Sequence, residues 1–183
     1  MAESRSNPSE MLISSQVNSA LNEQIGNEFG ASIQYVSIAT YFDAEGLPAL
    51  AQHFYRQANE EREHAMKFVK YIADAGGKVE IPAIPAPKSG FKSAEEAVQL
   101  SLEWELTVTN QINGLVDLAI KSNDHITKSM LDWFVTEQLE EVSSMDTLLR
   151  MIRRAGEKGL IFVEHHLARG AHGGASDAEP EHE

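Results

Sequence analysis

The chain has 183 residues, 42% of them hydrophobic and 23% charged, with 28 acidic against 15 basic side chains and no cysteine. That length suffices for one domain with a sizeable core. The formal charge of −13 argues against nucleic acid as the main partner, because neutralising phosphate needs a basic surface. The absence of thiols excludes disulfides, a thiolate metal site and a cysteine nucleophile. No apolar run approaches the roughly 18 residues of a membrane span, and the polar stretch Met1–Glu10 lacks the apolar core of a secretory signal. The expectation is a cytoplasmic protein with no membrane partner.

Residues 1–8 are polar and expected to be flexible, with Pro8-Ser9 opening a first helix. Val17, Leu21, Ile25, Glu28, Ser32, Tyr35, Ala39 and Phe42 then step by three and four, the spacing of one helix face. The element is roughly 50 Å long at about 1.5 Å per residue, and Asp43-Ala44-Glu45-Gly46 ends it in a short turn. A second helix is predicted from about Leu47 to Ala75, with the stripe Leu47, Leu50, Phe54, Ala58, Glu61, Ala65, Phe68, Ile72, and Gly76-Gly77 ends it. Lys78 to Lys92 contains Pro82, Pro85, Pro87 and Gly90 and cannot be helix. Only Val79-Glu80-Ile81 within it could alternate as a strand. Ser93 and Glu96 read as a capping box for a third helix, with the stripe Val98, Ser101, Glu105, Val108, Ile112, Leu115, Ala119. A turn at Ser122-Asn123-Asp124 precedes a fourth stripe of Ile126, Met130, Phe134, Glu137, Glu141, Met145, Leu148 and Ile152. Gly156 and Gly159 break that pattern, and a short amphipathic piece follows from Leu160 to Ala168. Residues 170–183 are small, polar and charged and are expected to be disordered.

Four long helices joined short, long, short make an all-α fold: an antiparallel four-helix bundle with one long crossover, occupying residues 9–169 with a short fifth helix at its end. The crossover is about fifteen residues because it must travel the length of the bundle.

Every stripe is interrupted by glutamate. In an antiparallel hairpin, residues at equal height are equidistant from the turn. The midpoint of Glu28 and Glu61 falls between Ala44 and Glu45, inside the first turn; that of Glu105 and Glu141 falls on Asn123, inside the second; that of Glu105 and Glu137 falls on Lys121, beside it. Helical periodicity alone does not require this matching. Carboxylates converging inside a bundle cannot all stay ionised without a counter-charge, and no Lys or Arg lies on any of the stripes. A pair of metal cations would supply it, with His64, one turn after Glu61, as the nitrogen ligand. Carboxylate with imidazole suits iron, manganese or zinc. Tyr35, one heptad after Glu28, is either a core tyrosine with its hydroxyl on a carboxylate or a catalytic hydrogen-bond or redox neighbour of the metals. Trp104 and Trp133 are expected to serve packing, and His165, His166, His172 and His182 to be solvated.

The chain resembles a bacterial non-haem ferritin, a member of the ferritin-like di-metal carboxylate bundles. The resemblance spans about residues 10–170 and rests on Asn27-Glu28 with Tyr35, on Glu60-Glu61-Arg62-Glu63-His64-Ala65, on Glu105, and on Glu137-Gln138-Leu139-Glu140-Glu141. It implies that Glu28, Glu61 and His64 hold a first iron, with Glu61 bridging, and that Glu105 and Glu141, with Gln138 nearby, surround a second. Glu60, Glu137 and Glu140 match the carboxylates of a third iron site in that family, and Tyr35 its site tyrosine. The fourth helix carries no second Glu-x-x-His, unlike bacterioferritins and most di-iron oxygenases, and the haem-ligating methionine of bacterioferritins falls on Arg62, so no haem is expected. The implied activity is ferroxidation. Fe(II) is oxidised by dioxygen or peroxide at a di-iron centre, and ferric mineral is stored inside a homo-oligomeric shell of 24 subunits, whose four-fold channels the fifth helix would line.

Overall fold

The computed structural model describes residues 11–173, and the side chains of residues 11–169. Helices α1 (Ser15–Ala44), α2 (Pro48–Asp74), α3 (Ala94–Lys121) and α4 (His125–Ala155) form the bundle; a 3-10 turn at Glu157–Gly159 leads into α5 (Leu160–Gly173). The all-α bundle with a short fifth helix is the architecture expected from the sequence. Both hairpin turns fall where the glutamate midpoints placed them. Asn123 closes the second with φ 53, a left-handed value that asparagine tolerates better than most residues.

Several local expectations are corrected. The bundle's first helix starts at Ser15, capped by Ser14, whose side chain accepts the Val17 N–H; the expected opening at Pro8-Ser9 lies outside the described residues. The buried face of α1 carries Ala31 in place of Ser32, whose hydroxyl instead donates to the Ala58 carbonyl at 2.6 Å. At the start of α4 the fully buried residues are Thr127 and Leu131; Ile126 is exposed, while Met130 is half-buried against the core. Thr127 can be buried because its hydroxyl pairs with Tyr71 at 2.7 Å, while Asp124 caps its N–H. Val79–Ile81 is not a strand. The capping box at Ser93 is half formed: its oxygen accepts the Glu96 N–H, while the Glu96 carboxylate takes the Lys92 N–H and the Lys88 ammonium. Helix α5 runs past Ala168 to Gly173. Residues 1–8 and the tail beyond Gly173 lie outside the described residues.

The crossover travels along α1 without forming a sheet, so its backbone polar groups need other partners. Side-chain amides supply them. Asn22 donates to the Lys78 carbonyl at 2.8 Å and accepts the Glu80 N–H at 2.7 Å; Gln34 donates to the Lys88 carbonyl and accepts the Lys88 N–H. Between these two clamps Pro82 lies on Gly26, where an added Cβ would sit 2.4 Å from the proline ring. At the far end, α2 begins with Pro48 and has no side-chain cap of its own. Glu164 of α5 takes that role, its buried carboxylate accepting the N–H groups of Ala49 at 2.9 Å and Leu50 at 2.7 Å.

The apolar core is divided in two. One cluster holds Tyr35, Phe42, Leu50, Phe54, Val98, Met145 and Ile152; the other holds Val17, Leu21, Ile25, Phe68, Ile72, Ile112, Leu131 and Phe134. On each of the four bundle helices a buried glutamate lies between residues of the two clusters: Glu28 on α1, Glu61 on α2, Glu105 on α3 and Glu141 on α4. A polar layer at mid-height therefore separates the two halves of the core.

Candidate metal centre

Burial is the first property of that layer. Glu28 and Glu61 are each 1% exposed, Glu105 0%, His64 3% and Glu141 5%. From the first hairpin, Glu28, Glu61 and His64 each offer a ligand atom within 4.8 Å of the others. Gln24, one turn before Glu28, donates its amide to Glu28 Oε1 at 2.9 Å. Glu28 Oε2, both oxygens of Glu61 and His64 Nδ1 are left buried without a hydrogen-bond partner. The His64 Nδ1 atom stands 3.4 Å from Glu61 Oε2, close but making no hydrogen bond. The imidazole is held by aromatic edges instead. Trp133 lies 5.4 Å from it and Phe134 6.0 Å, both T-shaped, and the Lys67 ammonium sits 3.8 Å over the Trp133 ring. Trp133, expected to be packing, therefore packs on the site histidine.

The second hairpin supplies the other side. Tyr35, wholly buried, donates its hydroxyl to Glu105 Oε1, and Glu105 Oε2 has no partner. Gln138 is buried beside Glu105, with its Oε1 atom 2.9 Å from the Thr109 hydroxyl. A second compact group comprises His64, Glu137 and Glu141, within 4.8 Å of one another. His64 is thus common to both groups. Glu105 belongs to neither; it is tied between Tyr35 and Gln138. Of the three outlying carboxylates, half-buried Glu137 joins a group, whereas Glu60 and Glu140 are exposed and join none. Glu60 accepts the Gln57 amide, and Glu140 lines a groove of about 740 Å³ between α2, α4 and α5.

These carboxyls do not behave as ordinary acids. Burial, then the neighbouring Glu61 charge, raises Glu28 well above the usual range; burial, then Glu105, does the same to Glu61. Burial lifts Glu105 to about 7 despite the opposing Tyr35 hydrogen bond, and burial with the Glu105 charge lifts Glu141 to about 8. Tyr35 is likewise held far above its ordinary value by burial and by Glu105. No Lys or Arg forms an ion pair with any of the four glutamates among the described residues. A buried acid layer of this kind either holds protons or holds cations, since isolated carboxylates inside a protein are costly. Oxygen donors with one imidazole suit divalent iron, manganese or zinc.

Sequence reasoning missed three contributors. Gln24 carried a signal, lying one helical turn before Glu28. Thr109 stands one turn after Glu105 and was equally readable. The aromatic clamp on His64 needed the packing of α2 against α4 and left no trace in a single stripe.

An antiparallel four-helix bundle with a carboxylate–histidine layer in its core defines a class of metal-handling bundles. Residues 18–155 match the ferritin-like domain family. The chain is 45% identical over 149 residues to ferritin BfrB of Mycolicibacterium smegmatis, a match covering 81% of this chain and 82% of that protein. It is 37% identical over 146 residues to a bacterial non-heme ferritin of Staphylococcus aureus, covering 80% of this chain and 88% of the relative. Among solved structures it superposes on an open-pore ferritin from Archaeoglobus fulgidus with a TM-score of 0.83 at 34% identity, covering 86% of this chain and 97% of that one. The chain belongs to the ferritin family.

Proposed function

We propose that this protein is an iron-storage ferritin that oxidises Fe(II) with dioxygen at the mid-bundle centre and deposits ferric mineral inside a homo-oligomeric shell, of 24 subunits by family likeness, in the cytoplasm. The observation that carries the reading is the set of buried, unpartnered ligand atoms: Glu28 Oε2, both Glu61 oxygens, His64 Nδ1 and Glu105 Oε2. Folding leaves five strong donor atoms without protein partners in one layer, and a bound dication satisfies them together.

In this reading Glu28, Glu61 and His64 hold one Fe(II), with Glu61 shared. Glu105 and Glu141, with Gln138, hold the second, and Tyr35 donates to Glu105. Each Fe(II) gives up one electron, and the pair reduces one dioxygen by two electrons with uptake of two protons. Glu137, in contact with the His64 group, and the exposed Glu60 and Glu140 form the path by which ferric iron leaves. Exposure suits that role, because a weakly enclosed carboxylate releases its ion. Tyr35 holds Glu105 in register and supplies a donor hydroxyl at the reacting edge.

The test is aerobic addition of Fe(II) to the metal-free protein. The expected outcome is a soluble, iron-loaded particle eluting far above the 20.2 kDa of one chain. Glu61→Ala and His64→Ala should slow the initial oxidation by about tenfold or more, the usual scale for losing support of a metal site. Iron that precipitates around a monomer, or initial rates unchanged in both variants, would refute the proposal.

A further inference from the structure

The Thr109 hydroxyl has one proton and two acceptors within reach. It lies 2.8 Å from the Glu105 carbonyl, one turn back on α3, and 2.9 Å from Gln138 Oε1 on α4. A hydroxyl donates once and accepts twice, so the two acceptors compete. The Glu105 carbonyl already takes the Thr109 N–H of the helix ladder and loses little when the hydroxyl turns away. The Gln138 oxygen is buried and has no other partner among the described residues. In the observed arrangement the proton therefore belongs to Gln138. That orientation turns the amide nitrogen toward Glu105, where its hydrogen bonding favours the ionised carboxylate.

An amide nitrogen cannot ligate a cation; only the oxygen can. With Oε1 on Thr109, Gln138 presents the wrong end to a metal held by Glu105 and Glu141. Turning the amide over brings Oε1 to the centre and Nε2 to Thr109. The same hydroxyl then accepts from Nε2 and returns its proton to the Glu105 carbonyl at 2.8 Å. The Thr109 end of the amide is hydrogen-bonded in both orientations, and at the other end the cation takes over the Oε1 lone pair that Thr109 gives up.

We propose that Thr109 is a positioning residue that sets which end of the Gln138 amide faces the metals, donating to Oε1 in the observed arrangement and accepting from Nε2 when Oε1 turns to a cation. The inference rests on the di-metal reading above and adds to it a residue that touches neither metal. Thr109→Val keeps the shape and removes both capacities; Thr109→Ser keeps the hydroxyl.

The experiment is anaerobic titration of the full assembled protein with Co(II), followed by visible absorption. Wild type should take two Co(II) per subunit. Thr109→Val should leave the first site unchanged and weaken the second by about tenfold, the usual effect of removing a ligand's supporting partner. Thr109→Ser should restore it to within about twofold. In a Gln138→Leu background, Thr109→Val should cost nothing further, since the only group it orients is gone. Equal second-site affinity in Thr109→Val and wild type overturns the proposal. So does a Thr109→Ser variant as weak as Thr109→Val, a loss at both sites, or a Thr109→Val penalty that persists without Gln138. Wild type that binds no pair of Co(II) overturns the di-metal reading itself, a distinct result.

Discussion

Filling the centre must expel protons, and the number is calculable. In the metal-free chain Glu105 titrates at about 7 and Glu141 at about 8. At about pH 6 these groups are protonated to roughly 0.9 and 1.0, so together they hold about two protons; at about pH 9 the same pair holds roughly 0.1. Glu28 and Glu61 are likewise held well above the usual carboxylate range by burial and by neighbouring charge, so any titration of theirs in this window adds to the difference. Carboxylates must be ionised to ligate. Saturating the metal-free protein with Zn(II), which undergoes no redox step, in a weakly buffered solution with a pH indicator should therefore release at least about two protons more per subunit near pH 6 than near pH 9. Glu105→Gln and Glu141→Gln should each remove about one of these. Proton release that is absent, or that does not fall as pH rises, would refute the view that burial keeps these acids neutral.

The same shifts govern the stability of the metal-free protein. Because the folded values of Glu105 and Glu141 lie above the ordinary 4.5, their protons favour the folded state most below that value, and the benefit disappears as pH rises through about 7 and 8. Melting temperature in chelator should fall between pH 5 and 9, and Zn(II) should flatten the fall. Glu164→Ala strips the carboxylate from the start of α2 and should cost about 2 kcal/mol, with faster amide exchange at Ala49 and Leu50 as the local signature. Gly26→Ala forces the crossover proline off α1 and should cost about 2 kcal/mol, lowering the melting temperature by roughly 5 °C; iron oxidation should persist, since Gly26 touches no member of the centre.

The glutamate positions were legible because they break a strong period. An apolar stripe makes an acid conspicuous, and hairpin geometry turned four isolated anomalies into one level of the bundle. The features that escaped are polar groups satisfied by polar groups. Thr127 at the start of α4 is inward because Tyr71 and Asp124 answer it, and a count of apolar residues chose Ile126 instead. Asn22 and Gln34, which clamp the crossover, look in sequence like any exposed amide on a helix. Glu164 could have been suspected from the other end: α2 opens on Leu47-Pro48 with nothing local to accept its first amides. Ser14, which caps α1, stands three residues before Val17 and was readable as a cap from its residue type.

The division of the acids between the hairpins bears on how the chain folds. Helices α1 and α2 carry Glu28, Glu61 and His64; α3 and α4 carry Glu105, Gln138 and Glu141. Each hairpin can form from local contacts, but the two meet through faces that bear negative charge on both sides. Their docking is the step at which like charges are driven out of water together. Proton uptake or cation capture must accompany that step, so acid or a bound cation should stabilise the docked hairpins relative to the separated ones.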